Sequence, residues 1–384
     1  MALGAHYMGK PELTLRNKLG QMSWGLVLLL TMTSCLGFAM LYSAANGSLE
    51  PWASRQMTRF GVGLVLMFIV AMVDIRQLHR FSYVFYGVAL VLLVAVDVMG
   101  RVGMGAQRWI DLGIFQVQPS ELMKLALVLA LARYFHGLGP EEVGKMKSLA
   151  VPILLIAVPA GLVLKQPDLG TALLLLAGGA ALCFAAGIKL RYFLIAGVAV
   201  TAALPIGWQL LHDYQRQRIW TYLDPSTDPL GAGYHILQSK IALGSGGVFG
   251  KGFLAGTQSH LEFLPEMQTD FIFTMLAEEL GMAGALLLLS LYVLILAYGV
   301  AVSLRSSSQF GRLVALGVTL TFFLYVFINI AMVTGLVPVV GVPLPMISYG
   351  GTAMMSLMVG FGILAGVHVH RDVAVPRRPG HTTY

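Results

Sequence analysis

Gly256-Thr-Gln-Ser-His-Leu-Glu-Phe-Leu-Pro-Glu-Met-Gln-Thr-Asp270 runs without a break into Phe271-Ile-Phe-Thr-Met-Leu-Ala277, the start of an apolar run that continues to Val302. A predominantly apolar segment of that length needs lipid around it, so the polar, acidic stretch before it must lie at a membrane surface. The chain is 57% hydrophobic and only 11% charged. So dense a polar loop beside lipid is costly unless it binds or reacts with something.

Working outward, a mean hydropathy of +0.78 excludes a water-soluble fold, because no soluble core could bury so many long apolar runs. The net charge of +7 comes from Lys and Arg scattered along short loops. That pattern orients a membrane protein and does not make a nucleic-acid stripe, so no nucleic-acid partner is expected. Cys35 and Cys183 each sit inside an apolar run, which offers neither a disulfide framework nor metal-binding spacing. The apolar stretch after Trp24 has no small-residue cleavage signal and reads as a retained helix.

Ten spans are predicted, near Trp24–Ser43, Arg59–Asp74, Phe81–Met99, Leu122–Phe135, Leu149–Leu164, Leu169–Gly187, Arg191–Leu211, Phe271–Val302, Leu313–Leu336 and Ser348–Val369. The fold class is therefore an all-α, polytopic integral membrane protein. An even number of spans puts both termini on one side, together with Lys18, Arg76, Arg80, Lys145, Lys189, Arg305 and Arg371. The positive-inside rule makes that side cytoplasmic. The other face receives Trp52, Gln107–Ser120, Lys165–Asp168, Pro338–Pro345 and the long loop 212–270 between the seventh and eighth spans. This is one membrane domain over 1–384, and turn signals such as Asp224-Pro and Gly244-Ser-Gly-Gly247 predict short surface helices within the loop.

Ionisable residues in or at the mouth of a span are the candidates for chemistry. Glu121 and Lys124 share a helix face and can neutralise one another, with Ser120 as the helix cap or with the pair facing a substrate. Asp168, after Gln166-Pro167, suits a helix N-terminus as a cap. Gln215, Arg216 and Arg218 form a polar cluster that could take phosphate oxygens or anchor the interface. Lys240 and Lys251, flanking the glycine run, suggest a loose anion loop. Asp270 is the sharpest candidate, at or near an N-cap. That position lowers a carboxylate pKa, whereas a general base works best nearer the ambient pH. Substrate phosphates would raise it, or Asp270 could help hold a divalent cation such as Mg2+ or Mn2+. No organic cofactor is expected.

The motifs Gly105-Ala-Gln-Arg-Trp109, Gln118-Pro-Ser-Glu121, Gln166-Pro-Asp-Leu-Gly170, Tyr214-Gln-Arg-Gln-Arg218, Glu278-Glu-Leu-Gly281 and Ser348-Tyr-Gly-Gly351, with the opening segment, resemble the SEDS family, and its elongation branch in particular. Met267-Gln268 stands where the family more usually has a pair ending in His. The resemblance implies a peptidoglycan glycosyltransferase that polymerises lipid II on the outer face of a bacterial cytoplasmic (inner) membrane during elongation. Asp270 would take the place of its essential acid, and Glu121 and Lys124 would match a functional pair. Arg108, Asp168, Gln215, Arg216, Arg218 and Lys240 would bind or support. It also implies a class B penicillin-binding protein and other elongation-complex proteins as partners. Gly317, Gly335, Gly360, Gly362 and Gly366 offer small-residue contacts for the former on the last two spans. A flippase for lipid-linked precursors and a non-catalytic scaffold for a transpeptidase are the competing readings.

Overall fold

The computed structural model describes residues 15–99, 101–103, 106–111, 116–210, 216, 220–222, 224, 232–257 and 266–376. Long helices stand at all ten expected positions: α1 (Trp24–Ala44), α2 (Ala53–Met72), α3 (Ile75–Met99), α4 (Pro119–His136), α5 (Ala150–Lys165), α6 (Leu169–Ala185), α7 (Leu190–Leu210), α8 (Ile272–Arg305), α9 (Gln309–Val333) and α10 (Gly351–Val369). Seven of the helices are long and apolar enough to cross a membrane, and α6 and part of α7 are shorter apolar helices. α4, with Glu121, Lys124 and Arg133, is buried along nearly its whole length and packs on α3, α5, α6, α9 and α10. A helix at the centre of a bundle can carry charge because its neighbours, not lipid, surround it.

Two starts differ from expectation. α2 begins at Ala53 and α3 at Ile75, each about six residues early, so Arg55, Gln56, Arg59, Arg76 and Arg80 are helical. Polar first turns at an interface do not show in an apolar window. Residues 101–117 add a small antiparallel meander, β1 (Arg101–Gly103), β2 (Ala106–Asp111) and β3 (Gln116–Val117), that an all-α reading does not anticipate. The predicted surface helix forms at Ala232–Ser245.

With no hydrophobic drive between helices in lipid, close packing holds the bundle. Tyr292, Phe322 and Phe361 of α8, α9 and α10 stack edge to face, with centroids 5.5 and 5.3 Å apart. The glycines expected to face a partner are used here instead. A Cβ at Gly317 would lie 2.5 Å from Val128, at Gly360 3.1 Å from Leu125, at Gly362 2.8 Å from Met67 and at Gly366 3.4 Å from Ala71. Gly335 in turn lies against Lys240. Of the seven helices of membrane-spanning length, α9 and α10 are the most enclosed, so their small residues serve the interior. Stacked Phe323 and Phe327 are the large apolar side chains that α9 leaves exposed.

Described residues of the loops assigned to one side meet at one end. Gln56 beyond Trp52 bonds Ser348, and a Cβ at Gly170 would touch Val340. Basic residues gather at the other end, where Lys18 Nζ donates to Met72 O, Arg133 Nη1 to Arg80 O, and Ser307 N to Arg371 O.

Candidate active site

α8 is broken at Gly281, whose φ of 67° and ψ of −164° belong to the region that favours glycine. A break in a membrane helix frees backbone groups that need partners. The loop before Asp270 supplies them: Lys251 N and Gly252 N donate to the carbonyls of Glu278 and Glu279, and Met282 N and Ala283 N to those of Gly247 and Val248, all at 2.9–3.0 Å. Gly246 and Gly250 permit this approach, since a Cβ at either would collide with a carbonyl oxygen of α8. Side chains reinforce the seam. Fully buried Glu278 accepts from Lys251 Nζ at 2.7 Å and Thr257 N at 2.9 Å, and Glu279 from Ser43 Oγ of α1 at 2.6 Å. Lys251 is thus ion-paired, and with the glycine run bonded to α8 the expected anion loop does not form.

Beyond this seam, residues 266–270 form turns sewn to the loop between α9 and α10. Ser348 Oγ donates to Thr269 O at 2.6 Å and Tyr349 N to Gln268 O at 2.8 Å. Asn329 Nδ2 of α9 donates to Asp270 O at 3.0 Å and to Val342 O at 2.7 Å. Asp270 is half-buried, and a Cβ at Gly341 would lie 3.5 Å from its Oδ2. The N-cap of α8 is Phe271, and Asp270 lies one residue before it.

Glu121 and Lys124 do pair, at 2.6 Å, and both are buried. Tyr325 Oη lies 2.8 and 2.7 Å from the two carboxylate oxygens, Ser356 Oγ donates at 2.8 Å, and Lys124 Nζ also donates to Tyr325 Oη. Gln118 is the N-cap of α4, so Ser120 lies inside the helix and is not the cap. Tyr325 and Asn329, four residues apart, occupy one face of α9 and link this pair to the Asp270 segment. Lys124 also lines a shallow apolar groove among α4, α6 and α9, walled by Leu127, Val128 and Leu131 and by Gly178 and Gly179; Asp270 is not part of it.

Asp168 caps α6 as expected, accepting from Thr171 N at 3.1 Å and Thr171 Oγ1 at 2.9 Å. Gln118 Nε2 donates to it at 3.3 Å, and Arg108 Nε lies 4.0 Å away while also donating to Gln166 O at 3.2 Å. Arg216 donates to the carbonyls of Trp208 and Gln209 at the end of α7, at 3.1 and 2.9 Å. Lys240 lies against Gly335, next to Leu336, whose carbonyl accepts from Tyr222 Oη at 2.8 Å. The loop after α9 thus meets Lys240 at Gly335 and Asp270 at Gly341. Gln215 and Arg218 lie outside the described residues. Glu278, Glu279 and Asn329 receive no role in the sequence reading, although adjacent acids in an apolar run are the signal that finds the two glutamates. Among the described residues no three His, Cys, Asp or Glu side chains converge as a metal site.

These features define a multi-pass membrane protein with a polar site at one end of its bundle. The chain belongs to the FtsW/RodA/SpoVE family of cell cycle proteins, whose model matches residues 22–373. It is 47% identical over 349 residues to the peptidoglycan glycosyltransferase MrdB of Escherichia coli K12, covering 90% of this chain and 94% of that one. Peptidoglycan glycosyltransferase RodA of Treponema pallidum is 30% identical, with 90% and 97% covered. A chain from a peptidoglycan synthase complex that coordinates polymerization and crosslinking superposes with a TM-score of 0.81 at 35% identity, covering 91% of this chain and 98% of that one. Rod shape determining protein RodA of Thermus thermophilus gives 0.69 at 32%, covering 91% and 97%.

Proposed function

We propose that this protein is a peptidoglycan glycosyltransferase that joins lipid II units into glycan strands during cell elongation, with its site on the outer face of the bacterial cytoplasmic membrane. The observation that carries it is Asp270: a half-buried acid whose backbone is held in a frame of loops at the end of the bundle. Glycan addition needs a sugar hydroxyl to attack an anomeric carbon while the bond from that carbon to a lipid-linked diphosphate breaks. Asp270 takes the hydroxyl proton, and the diphosphate leaves with the bonding electrons. Cationic groups then stabilise the departing charge. We assign this role to Lys240, on the helix Ala232–Ser245 and against Gly335 of the loop that also borders Asp270, with Arg216, Gln215 and Arg218 as supporting candidates. Arg108 and Asp168 hold the neighbouring corner, and Glu121 with Lys124 keeps α4 and α9 in register beneath the site.

Sidedness follows from charge. The basic residues gather at the end opposite Asp270, which the positive-inside rule makes cytoplasmic, with both termini there. A divalent cation arriving with the substrate, Mg2+ or Mn2+, would take Asp270 as one ligand and phosphate oxygens as others; activity in EDTA tests that role. Stacked, exposed Phe323 and Phe327 on α9 offer a face to the single span of a class B penicillin-binding protein, with other elongation-complex proteins around it.

Reconstitution with purified lipid II, with and without that transpeptidase, is the deciding experiment. Glycan polymer on a gel supports the assignment. Movement of the lipid II headgroup across the bilayer without polymer would make the protein a flippase, and neither activity would leave a scaffold. Concentration of the polar groups at one end favours the enzyme, since a translocation path needs them along its length.

A further inference from the structure

Gln56 and Arg59 lie three residues apart on one face of α2. Gln56 is fully buried, and its Nε2 donates to Ser348 O at 2.9 Å, while its Oε1 has no partner. The buried Nη1 of Arg59 has none either. The Arg59 guanidinium lies over the Tyr349 ring, 4.7 Å from its centroid, and against the first residue of α10, where a Cβ at Gly351 would meet its Cζ at 3.0 Å. α10 starts there with no side-chain cap bond.

Electrostatics makes this arrangement incomplete. The guanidinium faces the positive end of a 19-residue helix, and among the described residues no carboxylate comes within ion-pair distance of Arg59. Two like charges set together and partly withdrawn from water repel unless an anion lies between them. Stacking on Tyr349 satisfies the face of the guanidinium but not its edge N–H. Snorkelling would carry the charge to water, yet Nη1 is buried.

We propose that Arg59, Gln56 and the N-terminus of α10 form a binding site for a phosphate-bearing lipid headgroup. Phosphate oxygens accept from Arg59 Nη1 and from the first N–H groups of α10, and a headgroup hydroxyl donates to Gln56 Oε1. The phosphate comes either from the diphosphate of a polyprenyl-linked sugar or from an anionic phospholipid. Ser348 and Tyr349, which flank the site, also hold Thr269 O and Gln268 O beside Asp270; this continuity favours the diphosphate. That choice rests on the function proposed above, whereas the site itself does not.

The test uses the full chain in lipid nanodiscs, as wild type, Arg59→Gln, Arg59→Lys and Gly351→Ala, whose added Cβ pushes the guanidinium off the helix end. One arm measures binding of a polyprenyl diphosphate; the other measures the rise in Tm when phosphatidylcholine is replaced by phosphatidylglycerol. Arg59→Gln is expected to weaken diphosphate binding about tenfold, with Arg59→Lys retaining most of it and Gly351→Ala intermediate. Loss of the phosphatidylglycerol response alone assigns the site to the membrane lipid. Unchanged binding and an unchanged lipid response in a folded Arg59→Gln protein overturn the proposal. If that variant aggregates, the same results in Gly351→Ala overturn it. Wild-type protein that binds the diphosphate through Arg59 but makes no polymer fails the proposed function and leaves this site standing.

Discussion

Glu121 and Asp270 are both acids kept beside apolar helices, and the bundle treats them in opposite ways. Glu121 is enclosed at the centre, where Lys124, Tyr325 and Ser356 all converge on its carboxylate oxygens. Asp270 sits at the end of the bundle, where the carbonyls of Gln268, Thr269 and Asp270 itself accept bonds from neighbouring elements. A carboxylate whose oxygens are occupied by a lysine, a phenol and a hydroxyl is built for rigidity. One tied by its main chain into loops at the end of the bundle sits where substrate arrives under the function proposed above. The difference predicts that Asp270 variants lose rate without stability, whereas Glu121 variants lose stability first.

Asp270→Asn is the largest test of that contrast. Removing a general base costs about 10^2–10^4-fold in rate, so polymerisation of lipid II should fall by that factor while the unfolding temperature in detergent stays near wild type. An active Asp270→Asn protein, or one that loses both rate and stability together, would erase the distinction between the two acids.

Glu121→Gln attacks the other side. Leaving Lys124 buried without its partner should destabilise the fold by about 3–5 kcal/mol, and the double replacement Glu121→Gln with Lys124→Met should recover much of that loss. Thermal unfolding of the purified variants reads both. A stable Glu121→Gln protein with no activity would move the pair into the substrate site.

The positions of the ten helices were legible because seven of them carry apolar runs of membrane-spanning length, and Asp168 as a cap was legible from Gln166-Pro167 before it. What stayed hidden depended on contacts between distant segments. Nothing local in Gly244-Ser-Gly-Gly247 tells that its backbone completes a broken helix at Gly281, so Lys251 read as an anion ligand when Glu278 already held it. The inward orientation of Gly317 and Gly360 was equally out of reach, because a small residue suits an internal helix contact and a partner surface alike. Asp270 itself was found by type and place, but its distance from the cap could not be read, since helix ends are uncertain by a residue or two.

Between those two extremes lies Glu278, buried like Glu121 but committed to the loop that leads to Asp270. Glu278→Gln keeps an acceptor for Thr257 N and loses the charge that holds Lys251. About 1.5–3 kcal/mol of a charge-assisted bond is at stake locally. Limited proteolysis should cut residues 246–257 faster, and polymerisation should drop severalfold, with global unfolding little changed. Equal protection of that loop in variant and wild type would show that the backbone seam at Gly281 suffices without the ion pair.

The smallest expected effect is at Asp168, where cap and charge can be separated. Asn at this position can still accept from Thr171 N, so Asp168→Asn should lie within a few tenths of a kcal/mol of wild type plus the loss of a pair with Arg108 that, at 4.0 Å and partly exposed, contributes about 0–1 kcal/mol. Asp168→Ala removes the cap as well and should cost about 1 kcal/mol more. Activity should follow stability in both, because the carboxylate is turned toward Thr171 and Gln118 and serves the start of α6. Chemical unfolding and lipid II polymerisation measured on the same preparations decide it. A hundredfold loss of rate in a stable Asp168→Asn protein would place a second acid in the chemistry, and the contrast between a structural centre and a reactive mouth would then have to be redrawn around Asp168.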